Sequence, residues 1–191
     1  MVHDESVRFA SYVAAALLAA SVLAFGQQEG SAPETFTASA KALGQDVSVA
    51  ATVTIHIQRY TDERDRTAML EALKLGGYPR LVPVIRKMPE VGYVELAQRK
   101  AAVRWAHQTP TDKGRTISIV TDSPLAFVGG SAVDAKPRAG YELAVVLLEV
   151  DSTGAGTGSL AAAARIRPGG PTGVQIDDYA EQPIKLVVKR K

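Results

Sequence analysis

The stretch VAATVTIHIQ, residues 49–58, decides the fold. Apolar side chains such as Val53, Ile55 and Ile57 alternate in it with polar ones such as His56. A period of two places the apolar side chains on one face of an extended chain and the polar ones on the other. The stretch therefore predicts a half-buried β-strand.

The period changes directly after this strand. Thr61 precedes the acidic residues Asp62, Glu63 and Asp65, and apolar residues then recur at helical spacing until Gly76 and Gly77. A cap, acidic residues in the first turn and glycines after the last turn are typical of one complete helix. A second short helix is predicted from 79 to 88, with prolines in its first turn and beyond its end. We therefore expect a helical hairpin near 62–88.

The rest of the chain is a series of short apolar stretches separated by turn residues. The stretch 141–150 is apolar on both faces, so we expect this strand to be central. Sequential strands joined by short turns tend to pair with their neighbours. The predicted fold class is therefore α+β, a mostly antiparallel β meander that forms a curved sheet or partly closed barrel, with a two-sheet sandwich as the alternative. The further strands are predicted at 91–96, 103–108, 115–121, 159–167, 174–179 and 184–189.

The beginning of the chain is typical of an export signal. Arg8 precedes an apolar run at 9–25, which ends on the small-residue pattern Ala24-Phe25-Gly26. We predict a signal peptide at 1–26, a flexible leader at 27–34 and a single β-rich domain at 35–191. The predicted location is periplasmic or secreted, with an uncleaved N-terminal membrane anchor as the alternative. We expect no membrane span in the mature chain, because no later stretch is apolar for long enough.

Composition narrows the possible chemistry. The chain has no Cys, which excludes thiol catalysis, thiolate metal sites and disulfides. Its formal net charge is only +2, and the basic residues near the C-terminus are not interleaved with aromatic side chains. We therefore expect no nucleic-acid partner.

Two motifs resemble catalytic or cofactor sites only superficially. The run from Gly154 to Gly158 lacks the spacing of a dinucleotide-binding loop and the Lys-Ser/Thr pair of a phosphate loop, so a hairpin turn is predicted. The adjacent Asp177 and Asp178 point to opposite faces of a strand, which does not suit paired-carboxylate hydrolysis. We predict no catalytic, cofactor-binding or metal-binding residues, no cofactor and no enzymatic activity.

The candidate ligand-binding residues are Trp105, His107, Phe127 and His56. His56 lies on the polar face of its strand, where a surface position is expected, and general-base duty is the alternative. Val103, Trp105 and His107 are predicted to share one face of the next long strand. A binding cavity would be lined by residues such as Ile55, Trp105, Phe127 and Leu147.

The chain contains five further short motifs, which are IHIQRY at 55–60, VGY at 91–93, AHQTP at 106–110, TDSPL at 121–125 and DYAEQP at 178–183. Together they resemble a family of uncharacterised exported bacterial proteins. The resemblance covers residues 35–190 and implies export and a shared fold, but no activity, ligand or catalytic residue. The chain departs from the family pattern near Ser123, where the family has a more basic residue, and after Phe127, where the family has a longer aromatic loop.

Three function classes follow. The predicted function is an exported, non-enzymatic binding module for a small apolar or amphiphilic ligand. The first alternative is a structural or interaction protein of the cell envelope, which would contact an envelope protein through an exposed edge at 184–189 or the loop at 129–140. The second is a hydrolase that uses His56 or His107.

Overall fold

The computed structural model describes residues 33–43, 48–127, 138–168, 174–179 and 183–191. The predicted signal peptide, most of the predicted leader and most of the loop at 129–140 lie outside the described residues. The described part contains nine strands and one helical segment. These are β1 Glu34–Leu43, β2 Ser48–Ile57, α1 Glu63–Lys87, β3 Gly92–Leu96, β4 Arg99–Thr111, β5 Gly114–Thr121, β6 Leu143–Val150, β7 Gly156–Pro168, β8 Val174–Asp178 and β9 Ile184–Arg190.

The strands form a closed antiparallel barrel. Neighbouring strands pair in chain order from β1 to β7, and β9 then joins β7 to β1, so eight strands close on themselves and β8 is added outside the ring. β9 pairs with Gly156–Leu160 of β7, and β8 pairs with Ala164–Pro168 further along the same strand. The predicted α+β class is confirmed, with full rather than partial closure. The sandwich alternative is wrong.

The predicted exposed edge at 184–189 is also wrong. β9 pairs on one side with β1 and on the other with β7. Its backbone hydrogen-bonding groups are therefore engaged inside the barrel wall, and only its outward side chains are available to a partner.

Alternating side chains fill the barrel interior. An eight-stranded barrel is just wide enough for side chains to occupy its centre. After β5 the chain turns across one end of the barrel, where Leu125 is buried against the same core. The buried inward residues include Phe36, Ala38, Ile55, Ile57, Val94, Ile117, Ile119, Val146, Leu148, Leu160, Leu186 and Val188.

α1 packs on the outside of the barrel as the predicted hairpin. Its start is tied to β4 by a hydrogen bond from Thr61 N to Ala106 O (2.8 Å), and its middle reaches β7, where the Tyr78 hydroxyl donates to Ala164 O (3.1 Å). The chain then returns to β4, where Arg104 Nη1 donates to Met88 O (3.2 Å). No helix within the described residues is long and apolar enough to cross a bilayer.

The helix layer buries a second apolar cluster against the outer face of β4 to β7. β6 is consequently buried on both faces, as its sequence predicts: Val146 points into the barrel, and Val145 points toward α1. The prediction that Val103, Trp105 and His107 share a face is wrong. The β4–β5 register shifts between Val103 and Trp105, and this β-bulge turns Val103 inward and Trp105 outward.

Candidate functional site

A groove on the outer surface of β6 and β7 is the candidate binding site. We call it the outer groove, and its volume is about 230 Å³. Small-molecule sites are mostly apolar with a few polar groups, and this lining has the same character. The lining residues are Val145, Leu147, Ser159, Ala161, Ile176, Asp178 and Pro183.

Small side chains on β7 create the groove. β7 contributes Ser159 and Ala161 to its lining, while β6 beside it contributes the larger Val145 and Leu147. The short side chains on β7 leave space beside Val145 and Leu147, and Ile176, Asp178 and Pro183 complete the lining. Ala161 and Ala164 also belong to the apolar cluster beneath α1, which shows that α1 covers the next part of the same strand face.

A row of cross-strand pairs connects the groove to His107. His107 is opposite Ser118, Ser118 is opposite Leu147, and Leu147 is opposite Ser159. Directly opposed residues of antiparallel strands point to the same side of the sheet. His107 and Leu147 therefore share the outer face of the barrel, two strands or about 10 Å apart.

Trp105 and His107 lie together beside the start of α1. Trp105 is 6% exposed and is buried in the cluster that also contains Val145. The centres of the Trp105 and His107 rings are 5.8 Å apart. Partial burial, with a further contribution from the positive charge of Arg66, lowers the pKa of His107 below its ordinary value of 6.5. The neutral form of this imidazole is therefore favoured.

The other two predicted ligand-binding residues lie elsewhere. His56 points outward from β2, where its Nδ1 is 3.0 Å from the Thr35 hydroxyl oxygen and its ring lies 5.2 Å from that of Tyr93. Phe127 contacts Tyr179 edge to face, with ring centres 5.2 Å apart. Ile55, a predicted cavity residue, is fully buried in the barrel core. The four predicted residues are thus not brought into one site.

A buried polar cluster occupies one end of the barrel, and sequence reasoning missed it. We call it the mouth cluster: Glu34, Tyr60, Gln108, Arg115 and Arg190. Arg115 Nη1 donates to Glu34 Oε1 (2.9 Å) and to Gln108 Oε1 (2.7 Å), and its Nη2 donates to Glu34 Oε2. Arg190 Nε lies 3.7 Å from Glu34 Oε2.

The mouth cluster joins distant parts of the chain. Glu34 is 3% exposed and belongs to β1, although the sequence assigned this residue to the flexible leader. The Tyr60 hydroxyl donates to Glu34 Oε1 (3.4 Å), and burial together with the negative charge of Glu34 raises the pKa of Tyr60 above its ordinary value. Because each buried charge has partners, the cluster can close the barrel end without leaving an uncompensated ion. The inward position of Glu34, two residues before Phe36, is the sequence signal that could have revealed it.

The carboxylates and the glycine run that the sequence analysis considered have defined places in the structure. Within the described ranges, no group of three or more His, Asp or Glu side chains could hold a metal ion. Asp177 forms an ion pair with Arg167, and Asp178 lines the outer groove. The glycine run after β6 is a turn only at its start, where Gly154 N donates to Asp151 O (3.0 Å). Gly156 and Gly158 already belong to β7 and pair with β6, so the prediction of a turn is wrong at these two positions.

Comparison of the chain with protein-family models, curated proteins and solved structures found no match in any of the three sets. The resemblance to a family of exported bacterial proteins therefore stays a prediction.

Proposed function

We propose that this protein is an exported, non-enzymatic binding module that holds the apolar part of a small amphiphilic ligand in the outer groove. The observation that carries the proposal is the lining of the groove, in which the apolar residues Val145, Leu147, Ala161, Ile176 and Pro183 outnumber the polar residues Ser159 and Asp178. An apolar group that leaves water for such a surface gains about 0.8 kcal/mol for each buried methylene.

The ligand is proposed to bind outside the barrel. The barrel interior is lined by side chains that are themselves buried in one continuous cluster, including Phe36 and Ile55. The groove volume of about 230 Å³ lies below the roughly 300–1,000 Å³ of typical drug-sized sites. This size favours a single chain or one small ring over a large rigid ligand.

A titration with dodecyl maltoside, a neutral single-chain amphiphile, tests the proposal. Trp105 is the one tryptophan of the chain and shares an apolar cluster with the groove residue Val145, so its fluorescence should report binding. We expect saturable binding below the micelle concentration, and native mass spectrometry should detect the one-to-one complex.

Two variants provide the matched comparison. Leu147→Gln places an amide in the groove and should weaken binding at least about tenfold, because the amide must lose water to accommodate the chain. Leu75→Gln makes the same change at a helix residue that is 72% exposed, and should leave binding unchanged. Equal binding by the two variants, or no saturable binding by the natural chain, would contradict the proposal.

Export is part of the proposal and has its own test. The leader pattern at 1–26 supports a periplasmic or secreted location. The mass of the protein recovered from the periplasm or medium should correspond to a chain that starts near Gln27. Recovery of the unprocessed chain from the cytosol would contradict export, and recovery from the membrane fraction would favour the anchor alternative.

One observation favours the envelope-interaction alternative. Val187 is 59% exposed on the outward face of β9, between the exposed Lys185 and Lys189. Such a mixed apolar and basic surface suits an acidic partner. This alternative predicts co-purification with envelope membranes at low salt and release at high salt, where surface charges are screened.

A further inference from the structure

We infer that the ligand of the outer groove is a single-chain anionic amphiphile, such as a fatty-acid carboxylate, whose head group is bound by Lys185, while Lys189 adds positive charge further along the same face of β9. This inference rests on the proposed function, because it names the chemical class that the same groove would select.

The register of β9 places Lys185 at one end of the groove. Lys185 is directly opposite Ser159, a groove residue, and Pro183, two residues earlier, lines the groove itself. Directly opposed residues have Cβ atoms about 5 Å apart. The Lys185 stem therefore begins at the rim of the groove, within reach of a head group whose chain lies on Leu147 and Ala161.

The outward face of β9 carries a second lysine beyond Lys185. Leu186 and Val188 point into the barrel, so Lys185, Val187 and Lys189 point out together. Val187 offers exposed apolar surface between the two lysines. Among the ion pairs of the described residues, all the cations are arginines, so neither lysine is engaged with a carboxylate there.

The charges of the groove lie at different positions along β7. Lys185 lies opposite Ser159, whereas Asp178 lies opposite Ala164, five positions further along the same strand. An anionic head group is therefore attracted to the Ser159 end of the groove, beside Lys185.

Calorimetric titrations with three probes, whose alkyl chains differ by at most one carbon, test the inference. The probes are dodecanoate, dodecyl maltoside and dodecyltrimethylammonium, which carry negative, zero and positive charge. For the natural chain at low salt, we expect dodecanoate to bind about tenfold more tightly than the maltoside, since the positive charge of Lys185 and Lys189 attracts its carboxylate. The cationic probe should bind most weakly.

The double variant Lys185→Glu, Lys189→Glu should remove or reverse this preference and leave the affinity for dodecyl maltoside within about twofold. The control is Lys74→Glu, Lys113→Glu, which makes the same change of net charge at exposed positions on α1 and in the β4–β5 turn. The control should keep the natural order of the three probes.

The outcomes separate the two proposals. Equal binding of dodecanoate and dodecyl maltoside by both the natural chain and the β9 variant would overturn the anionic head group and leave the binding module intact. The same loss of preference in the control variant would also overturn it, because net charge alone would then explain the effect. Failure of all three probes to bind would overturn both the inference and the proposed function.

Discussion

Glu34 occupies a position where a carboxylate is costly to bury. The inward face of β1 runs through Ala40, Ala38 and Phe36 before it reaches Glu34 at the barrel end. The two hydrogen bonds from Arg115 and the nearby Arg190 compensate the lost hydration of the carboxylate. Removing one partner of such a pair usually costs more than the intact pair contributes, because the other charge stays buried without compensation.

Glu34→Gln should therefore lower the free energy of unfolding by about 3 kcal/mol. The substitution keeps the shape of the side chain but leaves Arg115 without a counter-charge at the barrel end. Chemical denaturation monitored by circular dichroism measures this change.

Glu63→Gln is the matched control. Glu63 forms an ion pair with Arg66 at 2.9 Å, but its side chain is 74% exposed, so its loss should change stability by no more than about 0.5 kcal/mol. Equal effects of the two substitutions would show that the mouth cluster contributes no more than a surface ion pair.

His107 should make stability depend on pH. Its pKa is lowered in the folded protein by partial burial and by Arg66, with Glu63 acting in the opposite direction. The His107 imidazole therefore binds a proton more readily in the unfolded chain, where its pKa has the ordinary value of about 6.5, than in the folded protein. The contribution of His107 to stability is then present at neutral pH and is lost as pH falls through 6.5 toward the folded-state pKa.

The variant His107→Gln should show a shallower loss of stability between about pH 7.5 and 5 than the natural chain. Denaturation midpoints measured across this range give both slopes. Identical slopes would mean that the surroundings of His107 do not favour its neutral form.

At the scale of elements, Gly77 makes the hairpin possible. Its backbone angles, φ 63° and ψ −156°, interrupt α1 between the two helical parts. This region is almost closed to residues that carry a Cβ atom. The break lets the chain reverse at β7 and return to β4, so both ends of α1 reach the same strand.

Gly77→Ala should destabilise the protein by about 1–3 kcal/mol, because alanine must adopt a strained backbone there. Leu75→Ala, at an exposed helix position nearby, should change stability by less than about 0.5 kcal/mol. Thermal unfolding of the two variants tests the difference. A Gly77→Ala variant as stable as the natural chain would mean that the hairpin can turn without this backbone conformation.

Elements with a strong local signal could be predicted from the sequence. Alternation identified β2, the two-sided apolar pattern identified β6, and Gly76-Gly77 predicted where α1 is interrupted. The β-bulge in β4 could not be predicted, since one extra residue, Arg104, reverses which side chains face inward and leaves the composition of the strand unchanged. Assigning Val103 and Trp105 to one face was wrong for this reason.

At the scale of the whole molecule, closure depends on contacts between distant parts of the chain. Phe36 of β1 pairs with Arg190 of β9, and Gly156 of β7 pairs with Val188. No local pattern states which strands will meet over such separations, so a closed barrel could not be distinguished from an open sheet or a sandwich. The outer groove could not be predicted from the sequence for the same reason, because its lining forms only when β6, β7 and β8 pair in the observed register.

Phe36→Ala should lower the stability of the barrel core and leave ligand binding in the outer groove unchanged. The side chain is fully buried inside the barrel, so its loss should lower the free energy of unfolding by about 3–5 kcal/mol. In the folded variant, the affinity for dodecyl maltoside should stay within about twofold of the natural value, because Phe36 does not line the groove. A large change in affinity would place the ligand inside the barrel.

The most direct test of a packed barrel with its binding site outside is a methyl NMR titration with dodecyl maltoside. We predict chemical-shift changes at the groove methyl groups of Val145, Leu147 and Ile176, and none at the interior methyl groups of Ile55, Ile117 and Leu186. Changes centred on the interior methyl groups would contradict this account, as would a saturating titration in which the groove methyl groups do not shift.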